Sequence, residues 1–172
     1  MSKRRRLRGV TLVEVLIALC IAAVLLASAV PGFQGALERL RLTTTTNELV
    51  LAVYLARAEA TARHARVAIT PQVANNWASG WYVFLDANDN GLLDAGESVV
   101  RVFDPVPANM TVAATFGGFD GHVLSFDHAG LLRRPGSNGM LLGRVTLTAS
   151  GNARTLCFSA ASMRTVQAAA CT

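Results

Sequence analysis

Four places in this 172-residue chain carry side chains whose types and spacing could do chemistry. The first is an acidic stretch in which Asp86, Asn88, Asn90, Asp94 and Glu97 set oxygen donors at positions one, three, five, nine and twelve of a loop, with Gly91 at six. Oxygens at alternating positions can wrap a hard cation such as calcium. The flanking runs, Trp81 to Leu85 and Ser98 to Phe103, read as strands, so this is no helix-loop-helix hand. A hairpin turn in which Asp and Asn cap their own backbone around a positive-φ glycine selects the same residue types. The second place is the pair Cys157 and Cys171. In an oxidising compartment they would bridge, pinning the chain end and constraining the unfolded state by about 3 kcal/mol. In a reducing one they would be two buried thiols. The third is Glu14, the one charge in an apolar block, and the fourth is a set of arginines at 133, 134, 144, 154 and 164 that could form a basic patch. Nothing else has catalytic spacing: His64, His122 and His128 lack Cys or carboxylate partners at metal-ligand distance in sequence, and no glycine-rich phosphate loop occurs. The reading is of a structural protein rather than an enzyme.

The elements that must position these groups begin with the apolar block. Val10 to Val30 contains 21 residues and, as a helix, would extend about 31 Å, which matches a bilayer's hydrocarbon core. Lys3, Arg4, Arg5, Arg6 and Arg8 precede it, which holds that end in the cytoplasm and sends the rest across the membrane. These five account for the whole net charge of +5: the remaining eleven Lys and Arg balance eleven Asp and Glu. A chain without its first nine residues is therefore neutral and lacks the general attraction for nucleic acid that its formal charge suggests. A conventional signal peptide cut after Ala29 is the competing reading, although the apolar block is longer than the usual core of about 7 to 15 residues. A lipoprotein reading of Cys20 fails on Leu19, where a small residue is needed. From Phe33 to Arg66 the apolar spacing is helical, with Leu37, Leu40, Val50, Val53 and Tyr54 among charged residues; a bend is expected at Thr43 to Thr46, a poor helix-forming run. Beyond Val67, short β-like runs alternate with Gly, Pro, Asn and Asp. The expected division is a leader over 1–9, a membrane helix over 10–30, its amphipathic continuation over 31–66 and a β-rich periplasmic domain over 67–172.

Gly9-Val10-Thr11-Leu12-Val13-Glu14 resembles the prepilin peptidase site of type IV pilins and type II secretion pseudopilins. The resemblance implies cleavage between Gly9 and Val10, N-methylation of Val10, and a glutamate that meets the cationic chain end of a neighbouring subunit in the filament. A carboxylate in a membrane helix needs such a partner. Pro31 matches a common pilin proline, whereas Val10 stands where the family usually has phenylalanine. Leu55-Ala56-Arg57-Ala58-Glu59-Ala60, Gly80-Trp81 ahead of the acidic loop, and Phe126-Asp127 with Gly130 narrow the resemblance to the GspH/FimT minor pilins and pseudopilins. That family implies an α+β fold, a long helix packed on a small antiparallel β-domain. It also implies prepilin peptidase, other pilins and an inner-membrane assembly platform as partners, and no cofactor. Some relatives bind DNA through a C-terminal Gly-Arg-x-Arg motif, of which only Arg164 remains here, so DNA is a minority expectation.

Overall fold

The computed structural model describes residues 11–117, 123–137, 139–167 and 171, and of residues 27–31 the backbone alone. Gly9, Val10, His122 and the Pro31 side chain lie outside that description. The described chain is one long helix, α1 (Leu12–Arg63), followed by nine strands: β1 (Val67–Val73), β2 (Asn76–Leu85), β3 (Val99–Phe103), β4 (Met110–Phe116), β5 (Leu124–Phe126), β6 (Leu132–Arg133), β7 (Gly143–Ala149), β8 (Asn152–Phe158) and β9 (Met163–Val166). It divides into two compact units, Met1–Leu37 and Glu38–Thr172.

In the first unit the helix starts on a cap. Thr11 Oγ1 accepts the Glu14 N–H at 3.3 Å and the Thr11 carbonyl accepts that of Val15. Thr11 is thus the N-cap and Glu14 the N3 residue, and among the described residues only the threonine half of a capping box is formed. Behind the cap, Leu12, Val13, Leu16, Ile17, Leu19, Ile21, Val24, Leu25 and Leu26 are all exposed. A helix that is apolar on every side belongs in lipid or among other helices. Among the described residues no helix is long and apolar enough to cross a membrane; Val10 and the side chains of 27–31, which complete the apolar block, are not among them.

In the second unit α1 buries one stripe: Leu42, Thr45, Thr46, Leu49, Ala52, Val53, Ala56 and Ala60. The three alanines let the helix axis approach the sheet closely. The bend expected at Thr43 to Thr46 does not occur, and α1 continues through it. Thr43 and Thr46 donate their hydroxyls to the carbonyls of Arg39 and Leu42 at 2.8 and 2.6 Å, and burial of Thr45 and Thr46 outweighs their weak propensity. At the other end His64 takes a left-handed conformation (φ 49°) and Ala65 N–H bonds the Ala60 carbonyl, a Schellman stop.

The β-domain has the expected antiparallel pairing but is built as two sheets rather than one, in the orders β3-β2-β1-β5-β6 and β4-β7-β8-β9. Strands β1 and β2 reach beyond the expected Val67–Thr70 and Trp81–Leu85 and close a hairpin at Val73↔Asn76. Trp77, Trp81, Ile69, Leu124, Phe126, Leu132, Leu141, Leu147 and Leu156 fill one core with the helix stripe.

Candidate functional sites

The acidic loop joins β2 to β3, and its carboxylates are occupied by the loop's own donors. Asp86, only 2% exposed, accepts the N–H groups of Asn90 and Gly91 at 3.1 and 2.9 Å. Glu97 accepts those of Ala87 and Asp94 at 2.8 and 3.0 Å. Asp94 takes the side-chain amides of Asn88 and Asn90 at 2.8 and 2.7 Å. Asp89, with φ 59°, pairs with Arg66 just past the helix end at 3.1 Å. Burial pushes the Asp86 carboxyl above its usual range; the Gly91 and Asn90 N–H groups oppose this, and the charges of Glu97 and Asp89 add to it. The Asn88 and Asn90 amides hold Asp94 below the carboxylate range. Gly91 at φ +75° is held there by packing, since a Cβ would lie 2.9 Å from both Pro135 and Val123. Among the described residues no group of three His, Cys, Asp or Glu is placed to hold a metal ion. The alternating oxygens here accept the loop's own N–H and amide groups, as in a self-capped turn.

Cys157 on β8 and Cys171 form a disulfide with Cα atoms 5.9 Å apart. Cys157 stands opposite Arg144 on β7 and Arg164 on β9, so the three side chains share one sheet face. Arg154 stands opposite Leu147, on the core-facing side. Arg133 is tied to Asp127 at 3.0 Å. The five arginines that could have formed a basic patch do not all share one surface, because strand alternation sends Arg154 to the other face from Arg144 and Arg164.

Asp127 is a polar hub that its sequence neighbourhood did not announce. Burial would raise its carboxyl, but the Leu131 N–H, the Arg133 guanidinium and the Ala129 N–H outweigh that and hold it below the usual range. These bonds shape a turn that delivers Gly130 (φ +73°) against α1, where a Cβ would come 2.9 Å from Arg57 Cγ and 3.0 Å from Thr61 Cγ2. The signal available in sequence was Asp127 followed by Gly130, a pattern that only a turn packed on another element explains.

The helix itself has a second apolar face. Leu40, Leu51 and Tyr54 are 61%, 46% and 57% exposed, and Phe33 and Leu37 are also exposed. With Thr44 and Asn47 between Leu40 and Leu51, positions 40, 44, 47, 51 and 54 of the second unit step alternately by four and three residues, the spacing of a helix-pairing seam. Leu40 lies two residues, about 200° of helix rotation, from buried Leu42. Leu40 and Tyr54 therefore lie on the side of α1 away from the buried stripe.

Residues 45–162 match the model of the type II transport protein GspH family, and residues 4–30 match the prokaryotic N-terminal methylation motif. The chain is 40% identical over 90 residues to the pilin-like protein PilA1 of Thermus thermophilus, covering 52% of this chain and 55% of that one; it thus spans about half the length of that relative. Two solved structures share its fold. The type IV minor pilin FimU of Pseudomonas aeruginosa is 21% identical with a TM-score of 0.54, over 74% of this chain and 89% of that one. The minor pseudopilin EpsH of the Vibrio cholerae type 2 secretion system is 8% identical with a TM-score of 0.53, over 74% and 97%.

Proposed function

We propose that this chain, which belongs to the family of the type II transport protein GspH, is a minor pilin-like structural subunit of a type II secretion or type IV pilus filament. It is made with a basic leader, cut between Gly9 and Val10 by prepilin peptidase, methylated on the new Val10 amine and stored in the inner membrane with its β-domain in the periplasm. From there an assembly platform moves it into the filament beside other pilins. The observation that carries this reading is the second face of α1: exposed Leu40, Leu51 and Tyr54 opposite the stripe that serves the subunit's own core. A soluble monomer has no use for such a row. A subunit drawn from lipid into a helical bundle does, because neighbouring helices cover it on assembly.

Glu14 fits the same scheme. Its backbone N–H completes the Thr11 cap, while its carboxylate has no hydrogen-bond or ion partner among the described residues. That leaves the carboxylate available for the cationic Val10 end of a neighbouring subunit, and Pro31 marks where the apolar block ends. The mass of the purified mature chain tests the processing step. A methylated start at Val10 supports it; a start at Val30 would make the chain a released soluble protein. A photo-crosslinking residue at Leu51 or Tyr54 should capture another pilin-like helix in assembling cells, and capture of none would count against the seam. Loss of protein secretion against loss of twitching in a deletion strain separates the two machines. The acidic loop is proposed as a metal-free turn: melting temperature should be the same with excess calcium or chelator, and a rise with calcium would assign it a cation.

A further inference from the structure

We propose that the second unit carries a binding site for a phosphate-bearing anion, formed between α1 and the tip of the β7–β8 hairpin. A pocket of about 400 Å³ opens there, lined by Arg39 and Leu42 of α1, by Gly151, Asn152 and Arg154 of the hairpin, and by Gln167 after β9. Strand alternation is what brings Arg154 in. Opposite Leu147 on the core-facing side, half-buried Arg154 lines the pocket with Arg39 and Leu42 of α1, whereas Arg144 and Arg164 lie on the other face of the sheet.

The charge pattern in the pocket is one-sided. No Asp or Glu lines it. Among the described residues neither Arg39 nor Arg154 has a side-chain hydrogen bond or an ion pair. Glu38, next to Arg39 in sequence, accepts instead from Asn109 at 3.3 Å. Two guanidiniums brought to one cavity without a counter-charge repel, and an oxyanion between them would turn that cost into charge-assisted hydrogen bonds. Guanidinium forks suit the paired oxygens of phosphate, and the Asn152 and Gln167 carboxamides add donors of the kind that orient such a group. Gly151 at φ +77° has nothing within 4 Å of where a Cβ would stand, so the mouth is open. The volume exceeds a bare phosphate, and Leu42 offers an apolar wall for whatever the phosphate is esterified to. A phosphate ester fits this arrangement better than an inorganic ion. Its source is either a free small molecule or a lipid head group.

Titration calorimetry on the detergent-solubilised full chain tests the site, with glycerol 3-phosphate and dihexanoyl phosphatidylglycerol as probes. Saturable binding is expected, weakened about tenfold or more by Arg39→Gln and by Arg154→Gln and unchanged by Arg144→Gln on the opposite sheet face. Exposed Arg39 gives a variant that leaves the fold intact even if Arg154→Gln does not. Tighter binding of the phosphatidylglycerol than of glycerol 3-phosphate assigns the pocket to lipid; the reverse order assigns it to a free ester. Absence of saturable binding by either probe overturns the proposal, as does binding indifferent to both arginines. Arginine-dependent binding of a poly-glutamate peptide with neither phosphate probe bound would overturn it in favour of an acidic protein segment.

Discussion

The two faces of α1 differ in residue size and in what they ask of their surroundings. The inner face sets three small side chains, Ala52, Ala56 and Ala60, among Leu49 and Val53, each at most 1% exposed. The outer face carries large ones, Leu40, Leu51 and Tyr54, left roughly half exposed or more. If the helix had only to cover its own β-domain, the large side chains would be expected inward, where their burial gains most. Their placement outward fits the proposed assembly, in which the helix is shared between an intramolecular core, where close approach matters, and a contact that a neighbouring subunit completes. The inner face should therefore control stability of the subunit, and the outer face should control its assembly.

Leu49→Ala is the most damaging simple test of that division. Leu49 is fully buried in the stripe, so truncation should cost about 2–5 kcal/mol in thermal or denaturant unfolding. A loss under about 1 kcal/mol would mean the helix is not held by this face. Gly130→Ala probes the same contact from the sheet side. The substitution forces a positive-φ residue to carry a Cβ into Arg57 and Thr61, and about 1–3 kcal/mol should be lost.

Asp127 holds the turn that presents Gly130, and its contribution depends on pH. Its folded carboxyl titrates below the usual aspartate value of 3.8, so the native state favours the ionised form. The stabilisation is complete above that value and is lost as pH falls through the lower folded value. Asp86 works in the opposite sense. Its folded pKa is raised, so stabilisation belongs to the protonated form below 3.8 and disappears as pH rises through the folded value. Asp127→Asn should cost about 1–2 kcal/mol at neutral pH and flatten the decline of stability in acid, measured by denaturant melts across pH. An unchanged acid limb would show that other carboxylates govern it.

Much of this could be read before any coordinates. The apolar block, the helical spacing after it and the acidic loop's boundaries follow from local pattern. Failures came where a distant element overrides a local rule. Strand β2 starts ahead of Trp81 and pairs with β1 past Pro71, which the hairpin tolerates because β5 pairs with β1 only as far as Ile69 and Pro71 stands beside no third strand. Thr43 to Thr46 looked like a weak point until packing enclosed half of it. The arginines were legible as a count but not as a surface, because which side of β8 each faces depends on register. The loop composition left calcium and turn open together, and only the pairing of each carboxylate with a backbone N–H or amide favours the turn.

The smallest expected effect on stability is the most informative about the outer face. Leu51 and Tyr54 are one seam step apart and exposed, so Leu51→Ala and Tyr54→Ala should each shift subunit stability by no more than about 0.5 kcal/mol. Their combination should stay nearly additive, since neither belongs to the core cluster. The same double variant should nonetheless fall out of assembled filaments, because it removes two large apolar side chains from one contact and leaves Thr44 and Asn47 as the middle of a weakened seam. Stability and incorporation would then separate cleanly: Leu49→Ala lowers both, and the outer pair lowers only the second. If the outer pair destabilised the isolated subunit as much as Leu49→Ala, the exposed face would be part of this chain's own fold, and the helix would have no surface reserved for a neighbour.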